Sequence, residues 1–177
     1  MARYAYPSID NLTGNLAKEM RERIGPGRGN VWRMLLLTPD AAEKFIAFSE
    51  EVRNRNAIPS AIRELMILRV GHLCNAPYEV HHHKRIGRSV GLSEVSIAAS
   101  AIGSTATGID RSEKFVLGMV DELVENKQLC QATFDQAVAE YGVRTVADMV
   151  LMVGFYTMAS MFLNSFGVEV EQPPIKD

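Results

Sequence analysis

The sequence predicts an all-α, single-domain bundle of about seven or eight helices. Three observations carry that expectation. Apolar residues recur at three- and four-residue spacing along most of the chain, while strand-like alternation is nearly absent. Proline, serine, threonine or aspartate stands ahead of the apolar runs, where such residues cap or open helices. Glycine or proline follows the runs, where it stops them.

In chain order, a first helix is expected around Ile9 to Ile24 and a short one around Val31 to Leu37. "TPDAAEKFIAFSEEVRNRN" opens on Thr38 as N-cap with Pro39 at the first helical position, and Ala41, Phe45, Phe48 and Val52 form its apolar stripe. "PSAIRELMILRVGHLCN" begins in the same way, with Pro59 and Ser60 ahead of Ile62, Leu65, Met66, Leu68 and Leu73. Pro77 ends that helix and opens the next, because proline fits a first turn but not an interior. This helix runs to about Val90, where Gly91 supplies a stop. Ser93 caps a short helix over "SEVSIAASA", and "GSTATG", Gly103 to Gly108, is a loop. "DRSEKFVLGMVDELVEN" has Asp110 or Ser112 as cap, with Phe115, Met119, Leu123 and Val124 on one side. "CQATFDQAVAEYG" is a further helix closed by Gly142, and "EVEQPPIKD" reads as a polar tail.

Met149 to Val168 is a run of 20 residues without a charge, long enough to span a bilayer. Gly154, Tyr156, Thr157, Ser160, Asn164 and Ser165 dilute it, and no other segment accompanies it as a second span. It reads as a core or interface helix, with Met149, Met152, Met158 and Met161 as pliable packing.

A chain of 177 residues suffices for one domain with a sizeable core. The net charge of −2 argues against a nucleic-acid partner, which asks for a basic excess on one face. Lys18, Arg21, Arg23 and Arg28 form a basic cluster, but Glu19 and Glu22 interrupt it, so it reads as a solvated helix end. The two cysteines, Cys74 and Cys130, lie 56 positions apart, which is neither a disulfide framework nor a CxxC pair. Each reads as a structural buried cysteine. With no signal-like N-terminus, a cytoplasmic protein without a membrane partner is expected.

The most unusual stretch is "NAPYEVHHHKRIG", which puts Glu79 just ahead of His81, His82 and His83. At about 100° per residue, His82 and His83 share the face of Glu79, while His81 points nearly opposite. The triplet therefore does not act as one unit. In the preceding helix, Leu68, Gly71 and Asn75 lie on the face of Glu64. A carboxylate on an apolar stripe is partly desolvated, which suits proton transfer. The alternative is a surface pair with Arg63 or Arg69. Gly71 leaves space on that face for a ligand or for a close helix. His72 and His81 read as surface or interface residues.

"RELMILRVGHLCNAPYEVHHHKRIGRSVGLSE", Arg63 to Glu94, resembles the core segment of the carboxymuconolactone decarboxylase family, which includes the alkyl hydroperoxidase D-type peroxidases. The resemblance extends over roughly residues 30 to 171. It implies an N-terminal helical arm at 1–29, a family-like helical domain at 30–171 and a polar tail at 172–177. The peroxidase branch has a glutamate, a cysteine twelve residues on, a second cysteine three further and a histidine four beyond. From Glu64 those offsets fall on Ala76, Glu79 and His83, so both thiols are missing. The "VGFYTMASMFLNSFGVEVE" segment is similar to the last helix of members with a tyrosine–glutamate pair in place of the thiols.

By resemblance, Glu64 and His83 take proton-relay positions and Glu79 stands where a thiol was lost. Tyr78 either orients a substrate or packs, and His82 is either a second proton-transfer group or an exposed neighbour. The implied function is cofactor-free acid–base chemistry on a small organic acid or lactone, with a small-molecule substrate and a homo-oligomer, trimer or hexamer, or else a dimer. The alternatives are a hydroperoxide-reducing antioxidant protein, which the missing thiols disfavour, a metal-dependent enzyme using Glu79, His82, His83 and Glu64, and a non-catalytic binding protein. No HExxH pattern supports the metal reading, and no metal or cofactor is expected.

Overall fold

The structure, a computed structural model, describes residues 1–10, 12–24 and 29–171. Those residues form eight helices and no strand. In order they are α1 (Gly14–Arg23), α2 (Asn30–Leu35), α3 (Pro39–Asn54), α4 (Ser60–Leu73), α5 (Pro77–Ser89), α6 (Glu94–Ile102), α7 (Arg111–Asn126) and α8 (Gln131–Phe166). The fold is all-α, as the periodicity predicts. Two expected boundaries shift, since α1 starts at Gly14 rather than near Ile9 and α2 ends at Leu35. Arg28 and the tail at 172–177 lie outside the described residues.

α4 is the central helix. From Glu64 to Gly71 every residue is buried, because α5, α6, α7 and α8 all pack on it. Met66, Ile67 and Val70 join Val116, Val120, Met149 and Met152 in the main core, while Leu65 and Leu68 pack with Ile97 and Leu117. One glycine lets α5 lie close to α4, since a Cβ on Gly71 would sit 3.1 Å from Val80 Cγ2 and 3.5 Å from Glu79 Cβ. Gly71 thus admits a neighbouring helix, not a ligand.

α4 is also tied down by charge. The guanidinium of Arg69 pairs with Asp121 of α7 and donates to the carbonyls of Ser100 and Ala101 at 3.1 Å each. Gly103 closes α6 against this group with φ of 99°, and a Cβ there would lie 2.7 Å from Arg69 Nη2.

The local signals are honoured with some rotation. Ser93 caps α6, and Asp110 forms a capping box with Glu113 on α7. Gly142 breaks α8 internally at φ 79° and ψ 151°, so the two expected helices meet at a kink. The stripe of α3 is one position away from the expected one. Ala42, Ile46, Ser49 and Val52 are buried, while Ala41 and Phe48 are exposed, because the core lies on the adjoining face. In α8 half of the most apolar window is buried inside the fold. Met149 and Met152 are core residues, but Met158 and Met161 face outward.

α8 ends in a Schellman motif. Gly167 adopts φ 61°, Gly167 N–H donates to Asn164 and Val168 N–H donates to Leu163. The chain reverses there, and Val168 packs with Leu163, Met34 and Tyr78. Asn30 Nδ2 donates to the Glu169 carbonyl at 2.9 Å, and Glu169 N–H donates to the Tyr6 hydroxyl at 3.0 Å. This return brings Glu171 back over α2 and α5.

Candidate active site

His83 is the centre of the site. It is 4% exposed and lies between two carboxylates. Its Nδ1 is 2.6 Å from Glu64 Oε2, and its Nε2 is 3.3 Å from Glu79 Oε2. The Glu79 contact is local, since residues four apart on α5 stack on one face. The Glu64 contact is long-range and depends on the close α4–α5 approach at Gly71. Glu64 is 1% exposed and also accepts from Arg63 Nε at 3.3 Å. The reading of Glu64 as a surface pair is therefore corrected: the Arg63 contact exists, but in the interior, and Arg69 is committed to Asp121.

Charge follows from this geometry. Burial pushes the His83 imidazole down, but hydrogen bonds and charge from Glu64 and Glu79 outweigh it and raise its pKa. Burial pushes Glu64 up, and the His83 and Arg63 contacts more than reverse that, so its pKa is lowered. Both shifts favour the charged pair, carboxylate and imidazolium. The ring of Tyr156 stands edge-on to His83, with centroids 5.1 Å apart and planes at 90°. Burial holds the Tyr156 hydroxyl well above the usual phenol range.

A second carboxylate–imidazole pair lies beside the first. Glu171 Oε2 accepts from His82 Nε2 at 2.9 Å. Its Oε1 accepts from the Tyr78 hydroxyl at 2.7 Å and from Asn30 N–H at 2.8 Å. Burial raises the Glu171 pKa, but these bonds prevail and hold it at about 2. Tyr78 is thus a packed aromatic with its hydroxyl committed, and the rings of Tyr78 and His82 lie 4.4 Å apart. The polar-tail reading is corrected at Glu171, which is 4% exposed. No motif announces this residue, because its burial depends on the chain reversal at Gly167.

Both pairs border a cavity of about 400 Å³, whose lining includes Trp32, Arg53, Glu79, His82, His83 and Tyr156. A wider groove of about 890 Å³ lies along residues 163 to 170 beyond Tyr78, away from His82 and His83. His81 is exposed as expected. His72 is partly buried, and its Nε2 is enclosed without a hydrogen-bond partner among the described residues. Arg23, read as part of a solvated helix end, instead lies over the Trp32 ring, 5.1 Å from its centroid, and lines the cavity. Periodicity marked none of Trp32, Arg53 and Tyr156 as site residues, since each comes from a different helix.

The thiols do not join this site. Cys74 is partly buried and Cys130 is exposed at the start of α8, which corrects the reading of both as buried. Burial raises the Cys74 thiol, with hydrogen bonds to Ser160 and Thr157 offsetting only part of the effect. Among the described residues, no group of three or more His, Cys, Asp or Glu side chains is placed to hold a metal ion.

Residues 39–122 match the model of the carboxymuconolactone decarboxylase family, a span that contains Glu64, Tyr78, Glu79, His82 and His83. Over that span the chain is similar to the family. Three solved structures share the fold of this chain. One is an uncharacterized peroxidase-related protein with an alkylhydroperoxidase AhpD core from Ralstonia eutropha JMP134. It is 18% identical with a TM-score of 0.82, over 97% of this chain and 93% of that one. A second, an uncharacterized peroxidase-related protein from Silicibacter sp. TM1040, is 14% identical with a TM-score of 0.81, over 97% and 92%. A third, a protein of unknown function from Agrobacterium tumefaciens proposed for antioxidant defence, is 18% identical with a TM-score of 0.70, over 80% and 96%. At these identities the likeness is one of fold. No curated protein matches the chain.

Proposed function

We propose that this chain is a cofactor-free enzyme that moves protons on a small organic acid or lactone, through a Glu64–His83–Glu79 relay. The observation that carries the reading is a buried imidazole with a carboxylate on each ring nitrogen, one of which borders a cavity. In a decarboxylation the substrate C–C bond breaks, CO₂ departs, and the electron pair passes into the conjugated system. The imidazolium of His83 passes its Nε2 proton to Glu79, which delivers it to carbon, while Glu64 at Nδ1 holds the ring. A double-bond shift uses the same groups, with a carboxylate taking the first proton. His82, steadied by Glu171, is the second group at the cavity able to exchange a proton, and Tyr78 shapes the wall between them.

The test is His83→Gln. Loss of carboxymuconolactone or related lactone-acid turnover, with the helical circular dichroism intact, is the expected result. A fully active variant ends the relay reading. The peroxidase-related names belong to the structural relatives, and a thiol route in this chain would start from Cys74, whose burial works against a thiolate.

The protein is further proposed to be cytoplasmic, with unpaired cysteines suited to a reducing compartment, and to form a trimer or hexamer through the outer face of α8. Leu151 is 54% and Met161 64% exposed, and with Val150 and Met158 they leave more apolar surface on one helix than a monomer usually shows. Light scattering on dilute protein is expected to give three or six copies, and a monomeric mass removes the proposal.

A further inference from the structure

We propose that Arg53 is the carboxylate-binding residue of the cavity, and that the ligand is a planar organic monoanion lying against Trp32. The inference deepens the proton-transfer reading by naming what the site grips, and the binding step itself does not depend on the relay.

Three observations lead to it. Among the poorly exposed arginines, Arg63 pairs with Glu64 and Arg69 with Asp121, with side-chain exposures of 14% and 10%. Arg53 lies on α3 at the wall of the same cavity, partly buried, with Tyr156 also on that wall. No carboxylate among the described residues forms an ion pair with it, although Glu64, Glu79 and Glu50 influence it at longer range. Removing a cation from water without a partner is costly, and a ligand carboxylate meets that need with the bidentate geometry a guanidinium favours.

The second guanidinium points the same way. Arg23 lies over the Trp32 ring, and its Nε is enclosed without a hydrogen-bond partner among the described residues. The third observation is an aromatic wall, with Trp32 edge-on to Phe45 at 73° and Phe155 tilted 40° to Phe45. Trp32 meets Phe45 at 6.4 Å, and Phe45 meets Phe155 at 4.8 Å, all three on the cavity. A planar ligand covers such a wall while its carboxylate reaches Arg53.

The glutamates do not cancel this positive field. Glu79 is engaged by His83, and Glu64 by His83 and Arg63, while Glu22 on the same wall is outnumbered by Arg23, Arg53 and Arg85. An anion held at Arg53 therefore faces the relay, with its reacting carbon toward Glu79.

The test uses benzoate as probe and benzamide, its neutral near-isostere, as control, with calorimetric titration of the full-length protein. Wild type is expected to bind benzoate at least about tenfold more tightly than benzamide, the scale of a charge-assisted hydrogen-bonded contact. Arg53→Met is expected to lose that preference, and Arg53→Lys to keep only part of it, because the charge stays and the fork is lost. Equal binding of the two probes by wild type, no benzoate binding, or an unchanged preference in a folded Arg53→Met overturns the proposal, and the wild-type comparison decides even if that variant does not fold. A failed relay shows instead as turnover persisting in His83→Gln, so the two proposals fail separately.

Discussion

Glu64→Gln is expected to shift the titration of the His83 ring to lower pH and to slow turnover by about 10²–10⁴-fold, the usual range for a positioned acid–base group. The amide keeps the shape at Nδ1 and removes the charge. His83 then has Glu79 alone to oppose burial, which favours the neutral ring. Ring-proton NMR across pH reads the shift without a substrate, and an unmoved titration sinks the prediction. The same variant changes how stability depends on pH. The folded-state pKa of His83 lies above its ordinary 6.5, so its contribution is complete below about pH 6.5 and is lost as pH rises through the raised value. Glu64 lies below its ordinary 4.5, so its contribution is present above about pH 4.5 and is lost as pH falls through the lowered value. Wild type should therefore show a stability plateau between those two pH values, with both shoulders flattened in Glu64→Gln.

Asp121→Ala is expected to destabilise the fold by about 3 kcal/mol, the lower end for breaking a buried pair by removing one partner. Arg69 is left inside with its charge and two carbonyl acceptors, at the point where α4, α6 and α7 converge. The lower end applies because the Asp121 side chain is 29% exposed, which lets water replace part of the loss. In a chain of this size that corresponds to a fall in Tm of about 6–12 °C. Urea unfolding at constant m-value measures it, and a loss below about 1 kcal/mol contradicts the argument. Asp121→Asn should cost less, since its amide oxygen still accepts from the guanidinium.

Much of the helical frame was legible from local chemistry. Pro39, Pro77, Ser93, Asp110, Gly91 and Gly142 act on their own turns, so their consequences are written within a few residues. The same locality explains why Glu79 and His83 share a face of α5. The stripe of α3 was legible only to within one residue, because Ala41 and Ala42 fit either edge of the same arc and packing against Met20, Leu35 and Leu36 settled which was covered.

The sequence by itself determined the helices, their ends and one half of the relay, because caps, breakers and side-chain stacking are short-range effects. Its nineteen-residue spacing pointed to Glu64 only through likeness to a family. The tertiary structure decided the rest. Glu64 reaches His83 because Gly71 allows two helices to touch, and Glu171 reaches His82 because Gly167 turns the chain back. Arg53, Trp32 and Tyr156 share one cavity although they stand on three separate helices. Such meetings depend on how whole elements pack, and no periodic pattern within one element records where another will lie.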